Sequence, residues 1–585
     1  MTAPLRADLA IVGGRVASVL TGEVFHADLA IRGEAIVGVL PPGSPLVAAE
    51  RIDAVGQFVV PGFVDSHLHV ESSFLTPPGF AALTLPRGTT TVLADPHEIV
   101  NVAGAAGLRW MASAVNRTPQ TMLLAVPSCV PSLLGFETGG AELSPEDVAG
   151  LLDLPGVVAL GEVMDYRAVI AGDRRMLDIV RVAHDAGVLV DGHCPGISGA
   201  DLSAYLAAGI DSDHTKNPVV VAVEKARLGM HLQLQEKSIS AELVAALMRL
   251  PLRPPFSLVT DDVAADALVE HGHLDHVARR AVAAGLPPLE VLRAMTLVPA
   301  ARLRLHDRGS ITPGRRADIV LLPDLSTFRA SIVLAGGRVV ARDGAYVGPS
   351  LQTLLGGADG DAFRGSVKIA APTVDDLSLR MDNSDGPIRL RAIRVNSEDT
   401  STEEDVVTAA IVDGRVVLPA GVALLTVIHR HGRAPSRAFA PVTGLDLADG
   451  AVATTYAHDS HNLLVLGTTP ESMAAAAAAV VAAGGGVAVA RGGRIAGILE
   501  LPIAGLMSDA PVGRVISAVA AVRRALSDWG YCHTNAFMSI STLSLAASPR
   551  LKLTDRGLVD VERRTWASAV VAPQGSQLEP TGEPV

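Results

Sequence analysis

Through the middle of the chain, short apolar runs alternate with helix-length segments, and each apolar run closes on polar residues. Eight such runs stand out: FVVPGFVDSH (58–67), TTTVLADPHE (89–98), TMLLAVPSC (121–129), VVALGEVMDY (157–166), VLVDGHC (188–194), IDSDH (210–214), MHLQLQE (230–236) and FSLVTDD (256–262). Nearly continuous apolar runs of this length suit strands buried on both faces, and helical segments between them suit parallel crossovers. Eight repeats in about 250 residues match a (β/α)8 barrel. The predicted fold class is therefore α/β, with a TIM-type barrel over 58–308.

The flanks read differently. Residues 1–57 alternate β-branched runs with GG, TG and RGE turn signals, which predicts antiparallel hairpins, one of them turning at the GG of DLAIVGGRVAS (8–18). SIVLAGGRVVA (331–341) echoes that stretch. A lone hairpin is marginal, so 309–365 is expected to return and complete a small β domain begun by 1–57. Polar linkers then precede a further alternation of strands and helices, predicting an additional α/β domain over 366–585. There, ESMAAAAAAVVAAGGG reads as a helix with a glycine stop, GVAVARGGRIAGILEL as a hairpin, and AIVDGRVV (410–417) as another hairpin edge.

At 585 residues the chain exceeds a single core, so several domains are required in any case. The net charge of −13 comes without a basic block, which argues against a nucleic-acid partner. The most membrane-like stretch, 473–490, is mostly Ala and Gly and is broken by three glycines, so no membrane partner is expected. The N-terminal MTAPLRADLAIVGG lacks the pattern of a secretory signal. Cys129, Cys194 and Cys532 fit no disulfide framework or zinc-ligand spacing, and with the missing signal they point to a reducing, cytoplasmic setting. Cys194 is expected to be a small buried filler.

The strand ends carry the chemistry: HLH, DPHE, GE, GH, DH, QE and TDD. In a parallel barrel these ends converge on one face, where loops build the site. A single HxH pair is also what a polar strand rim looks like. Together, however, His67, His69, His193, His214 and Asp261 form the mixed imidazole and carboxylate set of a divalent metal site. Glu162, at the end of the fourth run, supplies an anionic donor able to bridge two cations, so two metal ions are expected.

PGFVDSHLHVESS, VLADPHEIVNVAG, LGEVMDY, GHCPG and SDH, with AHDSHNLLVLG (457–467) and GRIAGILELPIAGLMSD (493–509), resemble the amidohydrolase superfamily and, within it, the adenine deaminases. The resemblance covers nearly the whole chain. It implies that His67 and His69 hold the more buried metal, that His193 and His214 hold the second, and that Asp261 contacts a metal and handles protons. Glu162 would bridge where many relatives carry a carboxylated lysine. Manganese is the metal that the resemblance favours, with iron or zinc as alternatives. The implied reaction is a step of purine salvage: hydrolytic deamination of adenine to hypoxanthine and ammonia by a metal-activated hydroxide attacking C6. Coordination lowers the pKa of water from about 15.7 towards 7.

Attack on a purine also requires a proton on a ring nitrogen. Related deaminases keep a glutamate shortly after the strand-five histidine for this, but here the sequence runs HCPGIS. Glu71 is the first candidate instead, with His97, Glu98 and Glu236 behind it. Asp95, His97, Glu98 and Glu236 are read as substrate-binding or accessory-metal residues. The rivals are another cyclic amidohydrolase or nucleobase deaminase sharing every ligand, and a non-catalytic barrel scaffold. A small-molecule substrate and a homo-oligomer, dimer or higher, complete the expectations. His271, His273 and His276 in EHGHLDH are expected to be solvated or hydrogen-bonded rim. His458 and His461 sit in a turn-like polar cluster that either reaches the barrel mouth or serves loop capping.

Overall fold

In the computed structural model, residues 4–350, 360–382, 384–433 and 435–571 are described. They fall into two compact units. One comprises Met1–Pro96, Arg109–Ser128 and Ser144–Ala358, and the other His97–Leu108, Cys129–Leu143 and Asp359–Val585.

The eight apolar runs of the first unit contain eight parallel strands: Phe63–Leu68, Thr89–Ala94, Thr121–Val126, Val157–Val163, Leu189–Gly192, Ser212–Asp213, His231–Leu234 and Phe256–Leu258. The first five form one sheet in sequence order and the last three another. Two seams bring the sheets together. At one, Gly192 N–H donates to the Ser212 hydroxyl at 3.1 Å and Cys194 N–H to the Asp213 carboxylate at 3.0 Å. At the other, a parallel bridge pairs Leu68 with Asp261, with Asp261 N–H on the His67 carbonyl at 3.2 Å. The strands are short because many inward positions are polar.

The helices between them follow the expected periodicity. In Arg174–Asp185, Met176, Ile179, Val180 and Ala183 are buried on one face, and the Asp173 side chain caps the helix by accepting Met176 N–H at 3.0 Å.

The first predicted run divides in two. Phe58–Pro61 pairs antiparallel with Ile319–Leu322 in a nine-stranded sheet, and only Phe63–Leu68 enters the barrel. Gly62 stands at the break, where a Cβ would meet the Thr90 side chain at 2.2 Å. This sheet draws on two stretches of the chain: the strands from Leu5–Ala17 through Phe58–Pro61 are joined by those from Ile319–Leu322 through Ala345–Tyr346. Residues 351–359, in the segment expected to complete it, lie outside the described residues.

The predicted turn at Gly13–Gly14 is absent. Leu5–Ala17 is one strand whose register shifts between Ile11 and Gly14, with Gly13 at φ +75°. The glycine pair makes a bulge, which a single sequence cannot distinguish from a tight turn. By contrast, Gly336–Gly337 does turn a hairpin.

The second unit is built on another nine-stranded sheet, mostly antiparallel, from Arg415–Val417 at one edge to Arg494–Glu500 at the other. The helix Pro470–Ala482 packs Met473, Ala476, Ala477 and Val480 onto it and stops where Gly484 takes φ +72°. No helix among the described residues is long and apolar enough to cross a membrane.

Lys552 is fully buried in the strand Leu551–Thr554, where its Nζ donates to the Thr400 carbonyl at 3.0 Å. Burial pushes its pKa down to about 7, against about 10.4 in an unfolded chain. Between those values the unfolded state binds the extra proton, so stability rises with pH through that window, and the penalty is fully present below pH 7. Lys552→Met is expected to raise the melting temperature at pH 6.5 and to flatten its rise between pH 7 and 10, as read by thermal unfolding across that range.

Candidate metal centre

Within the first unit, each histidine at the strand ends is held by a defined partner. His67 Nδ1 lies 2.8 Å from Asp191 Oδ2. The other Asp191 oxygen accepts from the Ser212 hydroxyl and from Gln233 Nε2, the latter at 2.7 Å. Burial alone would raise the Asp191 pKa, but its hydrogen bond and charge interaction with His67, aided by Arg302, hold the carboxyl well below the usual range. An ionised Asp191 fixes the proton of His67 on Nδ1. Nε2 is left with its lone pair, buried and without a hydrogen-bond partner.

His69 is fixed in the same sense, because its Nδ1 lies 2.9 Å from the Asp95 carbonyl, which can only accept. Its Nε2 faces Asp261 Oδ1 at 3.4 Å and Glu162 Oε1 at 3.6 Å. The same Asp261 oxygen is 3.8 Å from His67 Nε2. The opposite oxygen of Glu162 lies 2.5 Å from His193 Nδ1 and 3.1 Å from His214 Nε2. One carboxylate therefore faces His69 with one oxygen and the His193–His214 pair with the other. Burial works against ionising Glu162 and Asp261, but charge prevails. His193 and His214 hold the first carboxyl well below its usual range, and Lys237 and His69 hold the second.

The rings of His67 and His214 stack at 3.8 Å between centroids. Two imidazolium ions would repel at that separation in a buried setting, whereas Glu162 raises the pKa of His214 and of His193 against the effect of their burial. His67, Glu162 and His214 form one group of mutually close ligand atoms, and His67, His69 and Asp261 another, each within 4.8 Å. Imidazole nitrogens, ionised carboxylates and a buried His67 Nε2 without a hydrogen-bond partner are the donor types that a divalent ion takes. Asp261 also sits at φ +60°, a left-handed conformation that aspartate tolerates better than most residues and that marks a constrained position.

The remaining candidates separate. Asp95 lies beneath Glu162 and accepts its N–H at 2.8 Å, while burial pushes its own carboxyl up to about 7. That contact explains the glycine of LGE, since a Cβ on Gly161 would stand 2.2 Å from Asp95 Oδ2. Glu71 is fully buried in the single turn Glu71–Ser73 beyond His69. His97 and Glu98 open the helix His97–Val115, and their segment belongs to the second unit. Glu236 is not drawn into the cluster. It is exposed and ion-paired with His276 at 3.0 Å and Arg280 at 3.7 Å, because the turn Glu236–Ser238 directs it outward.

Of the EHGHLDH histidines, His273 is buried rather than solvated, bonded to Thr89 Oγ1 at 2.9 Å and kept neutral by burial, its pKa pushed down to about 3. Cys194 is the buried filler expected. Asp191, Lys237 and the buried Asp213–Lys225 pair (2.9 Å) were not singled out in the sequence. Asp191 carried a signal nonetheless, standing two residues before His193 in the same apolar run.

Residues 58–340 match the family described as "Amidohydrolase family", and residues 399–565 match "Adenine deaminase C-terminal domain". The chain is 40% identical to "Adenine deaminase 2" of Rhizobium johnstonii, covering 95% of this chain and 92% of that protein. It is 40% identical to "Adenine deaminase" of Cereibacter sphaeroides, over 95% and 96% respectively, and 38% identical to that of Moorella thermoacetica, over 96% and 95%. The chain belongs to the adenine deaminase family. Membership in the amidohydrolases implies a divalent metal, and the histidine and carboxylate groups in this adenine deaminase relative are compatible with one.

Asp191→Asn keeps the side-chain shape and removes the charge that fixes His67. It is expected to lower divalent-metal affinity by about 10- to 100-fold, the usual scale for losing such an outer partner, as measured by chelator competition on folded protein.

Proposed function

We propose that this chain hydrolyses adenine to hypoxanthine and ammonia with two divalent metal ions, manganese first among them. The observation that carries the reading is the two-sided Glu162 carboxylate between His69 and the His193–His214 pair, in a chain related over nearly its full length to adenine deaminases. His67, His69 and Asp261 would hold one ion, His193 and His214 the other, and Glu162 would bridge them. The absence of thiolates favours manganese or iron over a structural zinc. When bound, the ions would lower the pKa of coordinated water towards neutrality and so supply a nucleophile at physiological pH.

The protein side chains do the rest. Asp261, ionised and 3.5 Å from Lys237 Nζ, accepts the proton of the attacking water and returns it to the departing amino group. Glu71 delivers a proton to a ring nitrogen, so that negative charge does not accumulate on the heterocycle. Asp191 and the Asp95 carbonyl keep the His67 and His69 lone pairs on the reacting side. The match through the C-terminal domain favours adenine over the cyclic amides that the same ligands could cleave. The reading includes a reducing, cytoplasmic setting, in line with three free cysteines, and a homo-oligomer.

The test is ammonia release by manganese-loaded enzyme from adenine, with none from hydantoin, dihydroorotate, cytosine or adenosine. Asp261→Asn is expected to keep most of the bound metal and to lower turnover by at least ~10²-fold, the scale of a lost general base. Adenine left intact by the wild type, or near-normal turnover by the variant, would refute the assignment.

A further inference from the structure

A second gathering of metal-type donors lies wholly within the second unit and uses none of the six barrel residues. His97 and Glu98 begin the helix His97–Val115, and the loop that follows the strand Ala451–Thr454 brings His458 and Asp459 beside them. All four are buried, at 4, 0, 3 and 1% exposure. His97 Nε2 stands 3.9 Å from Asp459 Oδ1 and 4.0 Å from Glu98 Oε1, and His458 Nδ1 is 3.2 Å from Asp459 Oδ1. Ligand atoms of His97, His458 and Asp459 all lie within 4.8 Å of one another.

The two longer separations exceed hydrogen-bond length. They fall within the range set by shared coordination, since donors about 2.1 Å from one ion stand about 3.0 Å apart at right angles and about 4.2 Å apart when opposed. A second observation points the same way. Asp459 Oδ2 is buried with no hydrogen-bond partner, an arrangement that is costly for a carboxylate unless a cation compensates it.

The neighbours fix which atoms can ligate. A Tyr456 hydroxyl donating to Met538 Sδ at 3.7 Å can accept from His458 Nε2 at 3.2 Å, and in that tautomer Nδ1 presents its lone pair on the Asp459 side. His461 is excluded. Its Nδ1 accepts the Ala457 N–H at 3.2 Å, so in the neutral ring Nε2 carries the proton and can only donate. The carboxyl groups of Asp459 and the neighbouring Glu98 supply anionic donors that one divalent ion would balance in a fully buried position. Burial, with Asp459 adding to it, pushes the Glu137 carboxyl up to about 8.

We propose that His97, Glu98, His458 and Asp459 form a further divalent-cation site of the Mn²⁺, Fe²⁺ or Zn²⁺ class. The site ties the segment 97–108 to the loop around 458 within the second unit.

The test is anomalous diffraction from crystals of the full-length protein grown with Mn²⁺, paired with metal counting on Asp459→Asn and His458→Gln. The expected result is a wild-type anomalous peak about 2.0–2.3 Å from His97 Nε2, His458 Nδ1 and an Asp459 oxygen. Each variant is expected to lose one equivalent of metal per chain. A wild-type map without a peak among these four side chains overturns the proposal, whether or not the barrel cluster holds metal. Unchanged metal content in both folded variants overturns it equally. Because the barrel residues are untouched, failure here is distinguishable from failure of the deaminase reading.

Discussion

The first unit depends on one requirement: several imidazole lone pairs must be presented to the same small volume in the interior of a barrel. A neutral histidine ring can carry its proton on either nitrogen, and the partner that one nitrogen finds decides which. The ionised Asp191 and the Asp95 carbonyl remove that freedom for His67 and His69 by accepting from Nδ1. Once those protons are placed, the inner nitrogens face Asp261 and Glu162 as lone pairs. The cluster is therefore organised before any ion binds, and the cost of ordering falls on folding rather than on binding.

That requirement also explains the interior of the barrel. Beneath the cluster, the Ser66 hydroxyl donates to Gln233 Oε1 at 2.7 Å, Gln233 Nε2 donates to Asp191, and Asp191 receives Ser212 and His67. The chain of bonds runs through four of the eight strands. Apolar residues at Gln233 and Ser212 would leave Asp191 Oδ1 buried without these two donors, and the carboxylate that orients His67 would be less firmly held. A buried polar network is stabilising only when its members are satisfied, and this one is anchored by a charge that the imidazole partly neutralises.

Much of this was legible in the sequence. Eight apolar runs became eight strands, because a strand buried on both faces must be apolar along its length whatever else the fold does. The polar residues at the strand ends came together because parallel strands all point the same way. Legibility failed where geometry is set by distant partners. Gly13–Gly14 has the composition of a turn and became a bulge because Leu5–Ala17 has neighbours along both edges, Val24–Arg32 on one and Leu46–Asp53 with Phe58–Pro61 on the other. FVVPGFVDSH reads as one strand and is two, since Gly62 admits a close approach by Thr90 that no local pattern records. Glu236 shares its position after a strand with Asp261, but a single turn sends it to His276 and Arg280.

The glutamate at position 162 suits the proposed bridging role for the same physical reason. A group shared by two cations must stay anionic, although full burial disfavours the charged form. In Glu162 this is met locally: its backbone N–H is bound by Asp95, its Oε2 meets His193 and His214, and its Oε1 faces His69. Those imidazoles keep the carboxyl ionised. A lysine at this position would have to be converted to a carbamate before it could act as an anion, whereas glutamate needs no carbon dioxide. Gly161, the residue before it, leaves room for Asp95, since a Cβ there would stand 2.2 Å from Asp95 Oδ2. Gly161, the buried Asp95 and Glu162 are thus one device, and substituting any one of them would change what the other two must do.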